Sequence, residues 1–227
     1  MEKSKPTRNW RGYLKEYAII VIGVLTALGA QQAAEEWREH RQYTEAREAV
    51  RKELNDNLSN LRRREAIKDC LPQRLEEIGA LLDKAGSGQK FEPARSIPLA
   101  NTLYTDTSAF SAASQAGRAS LFPQDELRSY GRLYVSLQYI ADYQEQQYAA
   151  WIHLKPLRGK SRLSPEMLLI FSTALEEARA AHFAIGLQIG HVMETAAPLG
   201  ITGDVKRKPL LFNNMCTPIS VESQGPA

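Results

Sequence analysis

One stretch near the N-terminus limits what this chain can become: Tyr17 to Ala30, YAIIVIGVLTALGA, carries no charge along its length. Such a run must be buried in protein, dissolved in lipid, or removed. It falls short of the roughly 20 residues a helix needs to cross a bilayer core, and its length also suits the apolar region of a cleavable signal peptide. The flanks separate the readings. Trp10, Tyr13 and Tyr17 precede or open the run and Trp37 follows it. From Trp10 to Trp37 a helix rises about 40 Å, close to a full bilayer with its interfaces, and aromatic rings at both ends suit headgroup depth. Lys15 and Arg11 can extend to the near interface.

Cleavage fits less well. Before the nearest candidate junction, Leu28-Gly29-Ala30 puts Leu where a small side chain is wanted, and Ala30 stands where a lipoprotein would need Cys. A retained anchor is therefore expected, with a cleaved signal and a buried soluble helix as the alternatives. For orientation, Lys3, Lys5, Arg8, Arg11 and Lys15 precede the span, while only Arg38 and Arg41 closely follow it. The excess of basic residues belongs on the cytoplasmic side. This predicts a single-span membrane protein with a cytoplasmic N-terminus and a C-terminal domain on the other side.

The same stub accounts for the basic pI. Of 29 basic and 26 acidic residues in the chain, the stub's five Lys and Arg against Glu2 and Glu16 leave the remainder balanced. A neutral domain offers no electrostatic footprint for nucleic acid. With 43% hydrophobic residues over 227 positions, a sizeable core is expected.

The run VIGVLTAL at residues 21–28, with Trp37 and Glu39 following, resembles the VIG-x-L-x-A-L span of a family of uncharacterised bacterial single-span membrane proteins. Residues 107–134, TSAFSAASQAGRASLFPQDELRSYGRLY, are similar to a second stretch of that family, a helix ending at Gly and followed by another. The resemblance implies that topology in a bacterial inner membrane, with the N-terminus cytoplasmic and the C-terminal domain periplasmic, and no activity.

Beyond the span, no Pro or Gly occurs from Ala33 to Lys68, so one long helix is expected to leave the membrane. Val50, Leu54, Leu58 and Leu61 form its apolar stripe, and packing starts near residue 46. Pro72 predicts a kink, followed by helix to Lys84 through Leu75, Ile78 and Leu82. A short helix over 107–116 closes at Gly117, and Pro123 opens the next. There Leu127, Tyr130, Tyr134, Leu137 and Ala141 form one stripe, with Leu133, Ile140, Trp151 and Leu154 beside it; so wide an apolar arc belongs to a helix with two neighbours. A last helix starts at Ser164 as cap and buries Met167, Phe171, Ala174, Ala178, Ile185, Ile189 and Val192. The expected architecture is all-α: a cytoplasmic stub (1–16), a transmembrane helix (17–34) continuing into a helical-bundle extracytoplasmic domain (35–198), and an irregular tail (199–227).

Motifs for chemistry are scarce. A di-iron bundle needs Glu-x-x-His pairs on facing helices; His191 and Glu194 give only the reverse order, once. His182 and His191 fall on opposite sides of one helix. GSGQK at 86–90 lacks the Gly-Lys-Ser/Thr of a phosphate loop, and ASQA around Ser114 lacks the glycines of a nucleophile elbow. No catalytic residue, metal site or cofactor is expected. Tyr130, Tyr134, Tyr139, Tyr143 and Tyr148 read as half-buried packing, Gly186 and Gly190 as a place where a neighbouring helix packs closely, and the basic loop at 155–162 as solvated.

Two further features bear on packing and on function. Gly23, Ala27, Ala30 and Ala34 align as a small-residue face of the kind that lets membrane helices approach. Cys70 and Cys216 are the only cysteines, and outside the cytoplasm their simplest fate is a bridge enclosing about 147 residues. The expected function is a non-catalytic, membrane-anchored scaffold or accessory subunit that meets the bilayer and either another envelope protein or itself. A periplasmic ligand-binding or sensing bundle is the alternative.

Overall fold

The structure, a computed structural model, describes residues 10–65, 68–100, 102–204 and 215–220. The expected stub lies mostly before them, as does much of the expected tail beyond. All regular structure among the described residues is helical. Helix α1 spans Trp10–Glu65, α2 Cys70–Gly86, α3 Ser108–Gln115, α4 Gln124–Leu154 and α5 Pro165–Ala196.

Helix α1 runs unbroken for 56 residues. Its first three turns take in the last part of the expected stub, and its apolar N-terminal portion is long and apolar enough to cross a membrane, with none of that portion buried inside the protein. Burial begins at Tyr43 and Ala46 and continues through Val50, Leu54, Leu58 and Leu61, where the periodicity placed it. From Ala30 to Arg41 the helix rises about 17 Å with its side chains exposed.

The sequence predicted a kink at Pro72; instead α1 ends at Glu65, Lys68 and Asp69 form a turn, and α2 starts afresh at Cys70. A proline ring clashes with the carbonyl four residues earlier, here that of Lys68, and supplies no N–H. In the first turn of a new helix neither matters. Pro123 differs by one step as well: it is the residue before α4, extended at ψ 139°. The expected cap holds, with the Ser164 hydroxyl accepting the Met167 N–H at 3.2 Å.

Helices α4 and α5 form an antiparallel hairpin through the short 155–164 connection. Helices α1 and α2 follow one another along its inner side. Contacts Arg47 to Glu126, Glu53 to Tyr134 and Arg64 to Gln147 climb in step, so α1 is parallel to α4. Helix α2 is antiparallel to α5, since Gly79 faces Leu175 and Arg179 while Gly86 faces Leu168. The result is a three-column bundle whose first column is made of two helices, α1 ending at Glu65 and α2 starting at Cys70, and extends far beyond the others at its N-terminal end.

The core divides in the same way. One cluster joins the outer part of α1 to Tyr130, Leu133, Leu137 and Ile140 of α4 and to Ile185, Ile189 and Val192 of α5. The other joins α2 to Trp151 and Leu154 of α4 and to Phe171, Ala174 and Ala178 of α5. Ala94, Ile97 and Ala100 from the α2–α3 connection, and Met215 and Ile219 from the tail, also enter this second cluster.

Candidate functional site

The residues expected to meet the bilayer lie on the unpacked part of α1. Trp10, Tyr13, Tyr17 and Trp37 are all exposed, and Arg41 lies 5.9 Å above the Trp37 ring. Gly23, Ala27, Ala30 and Ala34 are exposed on the same helix, and a Cβ added to Gly23 would meet nothing within 4 Å. At about 100° per residue, this small-residue face points roughly 150° away from the direction of Val50, Leu54, Leu58 and Leu61. It faces away from the bundle.

Above the stalk, α1 acts as the hub for every irregular segment at that end. The carboxylate of Glu53, only 7% exposed, accepts from the Tyr134 hydroxyl, the Ser108 hydroxyl and the Ala109 N–H. One turn on, the Asn57 amide grips Asp106 twice, donating to its carbonyl at 2.6 Å and accepting its N–H at 2.9 Å. Asn55 Oδ1 accepts the Gly203 N–H at 3.0 Å, and Ser59 Oγ accepts the Asp204 N–H at 2.6 Å. Gly203 has φ of 71°, and a Cβ there would sit 2.8 Å from the Ser59 nitrogen, so only glycine brings the chain this close. None of this was visible in the sequence. Glu and Asn in a charged helix resemble a solvated face, and only the positions of Glu53 and Asn57, each just before a stripe residue (Leu54 and Leu58), hinted otherwise.

Electrostatics follow from these contacts. Burial pushes the Glu126 carboxyl up, but the Tyr130 hydroxyl at 2.6 Å and the Arg47 guanidinium at 2.7 Å outweigh it, leaving the group below its ordinary value. Burial and the same carboxylate raise Tyr130 to about 12. Tyr134 is raised further by burial and Glu53. Between the two core clusters lies a polar layer: Arg64 donates to Gln147 Oε1, and Gln144 pairs with the Leu103 backbone. Burial lowers Arg64 to about 10. His182, in the same layer, is lowered by burial and by Arg64. His191 lies on the outer side of α5, as the nine-residue spacing required.

That outer side holds the main concavity. Helices α4 and α5 leave an open groove of about 680 Å³ on the face opposite α1, lined by Arg132, Val135, Tyr139, Leu187, Gln188 and His191 among others. Val135 is 55% exposed, Leu187 60%, and Phe183, one turn earlier on α5, 67%. The sequence predicted tight packing at Gly186 and Gly190. The structure corrects this: a Cβ at either would meet nothing within 4 Å, so nothing among the described residues packs against them. The tyrosines of α4 divide similarly, with Tyr130 and Tyr134 buried and Tyr139 and Tyr148 exposed.

At the far end Cys70 and Cys216 sit at disulfide distance, their Cα atoms 4.7 Å apart. Glu77, one helical step beyond Arg74, accepts the Ile219 N–H at 2.9 Å while pairing with Arg74 at 2.7 Å. Among the described residues no three His, Cys, Asp or Glu side chains converge as metal ligands. The chain matches no protein-family model, no curated protein and no solved structure, so its function is read from these residues alone.

Proposed function

We propose that this protein is a non-catalytic accessory or scaffold subunit of a bacterial inner membrane. Its N-terminus is cytoplasmic, α1 crosses the bilayer, and the helical domain stands in the periplasm. One observation carries the reading: a single unbroken helix joins an exposed apolar segment to the interior of a folded bundle. A helix continuous through both parts has no flexible joint, so it holds the domain at a fixed distance and orientation from whatever embeds its first turns. That is the work of a spacer or scaffold. The exposed stalk between Ala30 and Arg41, the small-residue face, and the outer groove leave surface for a neighbour.

The reading of residues 21–28 and 107–134 as those of a single-span membrane family is consistent with this proposal. Periplasmic ligand binding or sensing through a partner is the second reading, favoured by the groove, whose volume falls in the range of small-molecule sites. Purification in mild detergent separates the two. A stoichiometric protein that co-elutes supports the scaffold, a retained small molecule supports the sensor, and a chain that elutes alone overturns both.

A further inference from the structure

We infer that the groove between α4 and α5 is the seat of one amphipathic helix, bearing acidic residues on its flank, from a different membrane-anchored protein. This rests on the accessory-subunit reading and names the surface and the chemistry of the partner.

The first argument is shape. Two antiparallel helices covered by α1 and α2 on one side only form a bundle with its fourth column absent. Val135 and Tyr139 on α4, with Leu187 on α5, line the groove with apolar side chains about half or more exposed. Gly131 on α4, in the groove's lining, has open space where a side chain would otherwise hold a visitor away. Interaction between helices at close range uses such positions. A small molecule fits less well, because walls from two helices leave most of it in water, whereas ligand sites bury 70–90% of their occupants.

The second argument is charge. The groove's lining includes Arg128, Arg132 and His191 and no carboxylate. Arg128 is paired with Asp125 at 2.7 Å, both well exposed, while Arg132 makes no ion pair among the described residues. A cationic rim beside an apolar strip selects for carboxylates on the visitor and against lysines.

The third argument excludes a second copy and the lipid surface. Copies anchored in one bilayer stand parallel at equal height, so a two-fold contact through this face would set Arg128 and Arg132 near their own equivalents. The small-residue face of the span points to the opposite side of the molecule, so one two-fold axis cannot serve both. Arg128 and Arg132 lie level with α1 residues around Arg47 and Glu53, about 25–35 Å above Ala30 along the helix. Headgroups do not reach that height.

The test uses the full chain in its native membrane. A photo-crosslinking amino acid replaces Leu187 in the groove or, as a control, Lys52 on the outward side of α1. Adducts are mapped by peptide sequencing. The expected result is an adduct from Leu187 to a helix with flanking carboxylates in another membrane-anchored protein. Its yield should fall about tenfold with Arg132→Glu and fall with added salt. Thermal unfolding of the Arg132→Glu chain should be unchanged, since that side chain is exposed. An adduct from Leu187 to a second copy, to a helix without acidic residues, or to nothing overturns the inference, as does indifference to Arg132→Glu. If Lys52 then yields a heterologous adduct and Leu187 none, the scaffold reading stands while this assignment falls. No protein adduct at either position removes both.

Discussion

The Tyr134 hydroxyl donates to the carboxylate of Glu53, which lies 81 residues earlier in the chain and on the other side of the core. The second oxygen of that carboxylate serves Ser108 and Ala109, so a single buried side chain fastens α4 and the start of α3 to α1. A charged acceptor inside a bundle is stable only while its lone pairs are occupied.

Removing the donor and removing the acceptor should therefore differ. Tyr134→Phe keeps the ring stack on Phe110, whose centroid is 4.5 Å away, and loses one charge-assisted bond, costing about 1.5–3 kcal/mol. Glu53→Ala strands three donors and opens space, and should cost about 3–5 kcal/mol, more than Tyr134→Phe. Thermal unfolding in detergent would check the order. Equal losses would show that the carboxylate is not the hub.

Acidification should weaken the domain before its carboxylates titrate. Burial and Arg64 hold the His182 pKa below the 6.5 of the free group. As pH falls through about 6.5 the unfolded chain takes up a proton that the native state refuses, so stability drops and levels off below the native pKa. Glu126 and Asp106, both held below ordinary carboxylate values, lose their contributions only at still lower pH. A decline in denaturant midpoint between pH 7.5 and 5.5 thus belongs to His182. His182→Gln should flatten it, and a persistent decline in that variant would assign it elsewhere.

The span should associate through its small face. A Cβ at Gly23 meets nothing in this chain, so Gly23→Leu with Ala27→Leu leaves the fold untouched and probes only contacts between molecules. Crosslinked oligomer in membranes should decrease, with insertion intact. Unchanged crosslinking would mean the small residues serve no contact.

Parts of this architecture were legible because burial wrote a period into the chain. Val50 to Leu61, the double stripe of α4 and the buried face of α5 each follow a helical repeat, and all but Leu127, Ala141 and Met167, which are partly buried, are in the core. Ser164 was legible because a cap has few chemical solutions. The clamps of Glu53, Asn55, Asn57 and Ser59 were not, since a polar side chain reads the same whether it holds a loop or faces water. Gly186 and Gly190 misled for a related reason: the absence of a side chain permits close packing without saying whether the neighbour is in the same molecule.

Topology has a direct check. A reporter active only in the periplasm, joined after residue 227, should be active, and mass spectrometry of the mature protein should recover residues 1–30. A new N-terminus at Gln31 would remove the anchor and leave a free bundle with the same outer groove.

The last prediction concerns the cysteines. Cys216 meets Cys70 at the first residue of α2, where Met215 and Ile219 also enter the core. The tail is held there by further bonds: the Ile219 N–H donates to Glu77, and the Ile219 carbonyl accepts from the Arg95 N–H at 2.7 Å and the Ser96 N–H at 3.1 Å. These attachments hold the tail beside Cys70 through contacts other than the cysteine pair. A bridge would then restrict a loop with a sequence separation of 146, worth up to about 5 kcal/mol in the chain-entropy model, less any residual structure in the unfolded chain. Two consequences separate the covalent tie from the non-covalent ones. Cys216→Ser should lower the unfolding temperature while hydrogen exchange at 215–220 stays slow, because Ile219 remains docked. Glu77→Ala in the bridged protein should do the reverse locally, speeding exchange at Ile219 with a smaller loss of stability. Peptide mapping without reductant, after blocking free thiols, should recover the 70–216 crosslink from protein taken directly from membranes. Both cysteines alkylated in that material would refute the bridge and count against a periplasmic domain.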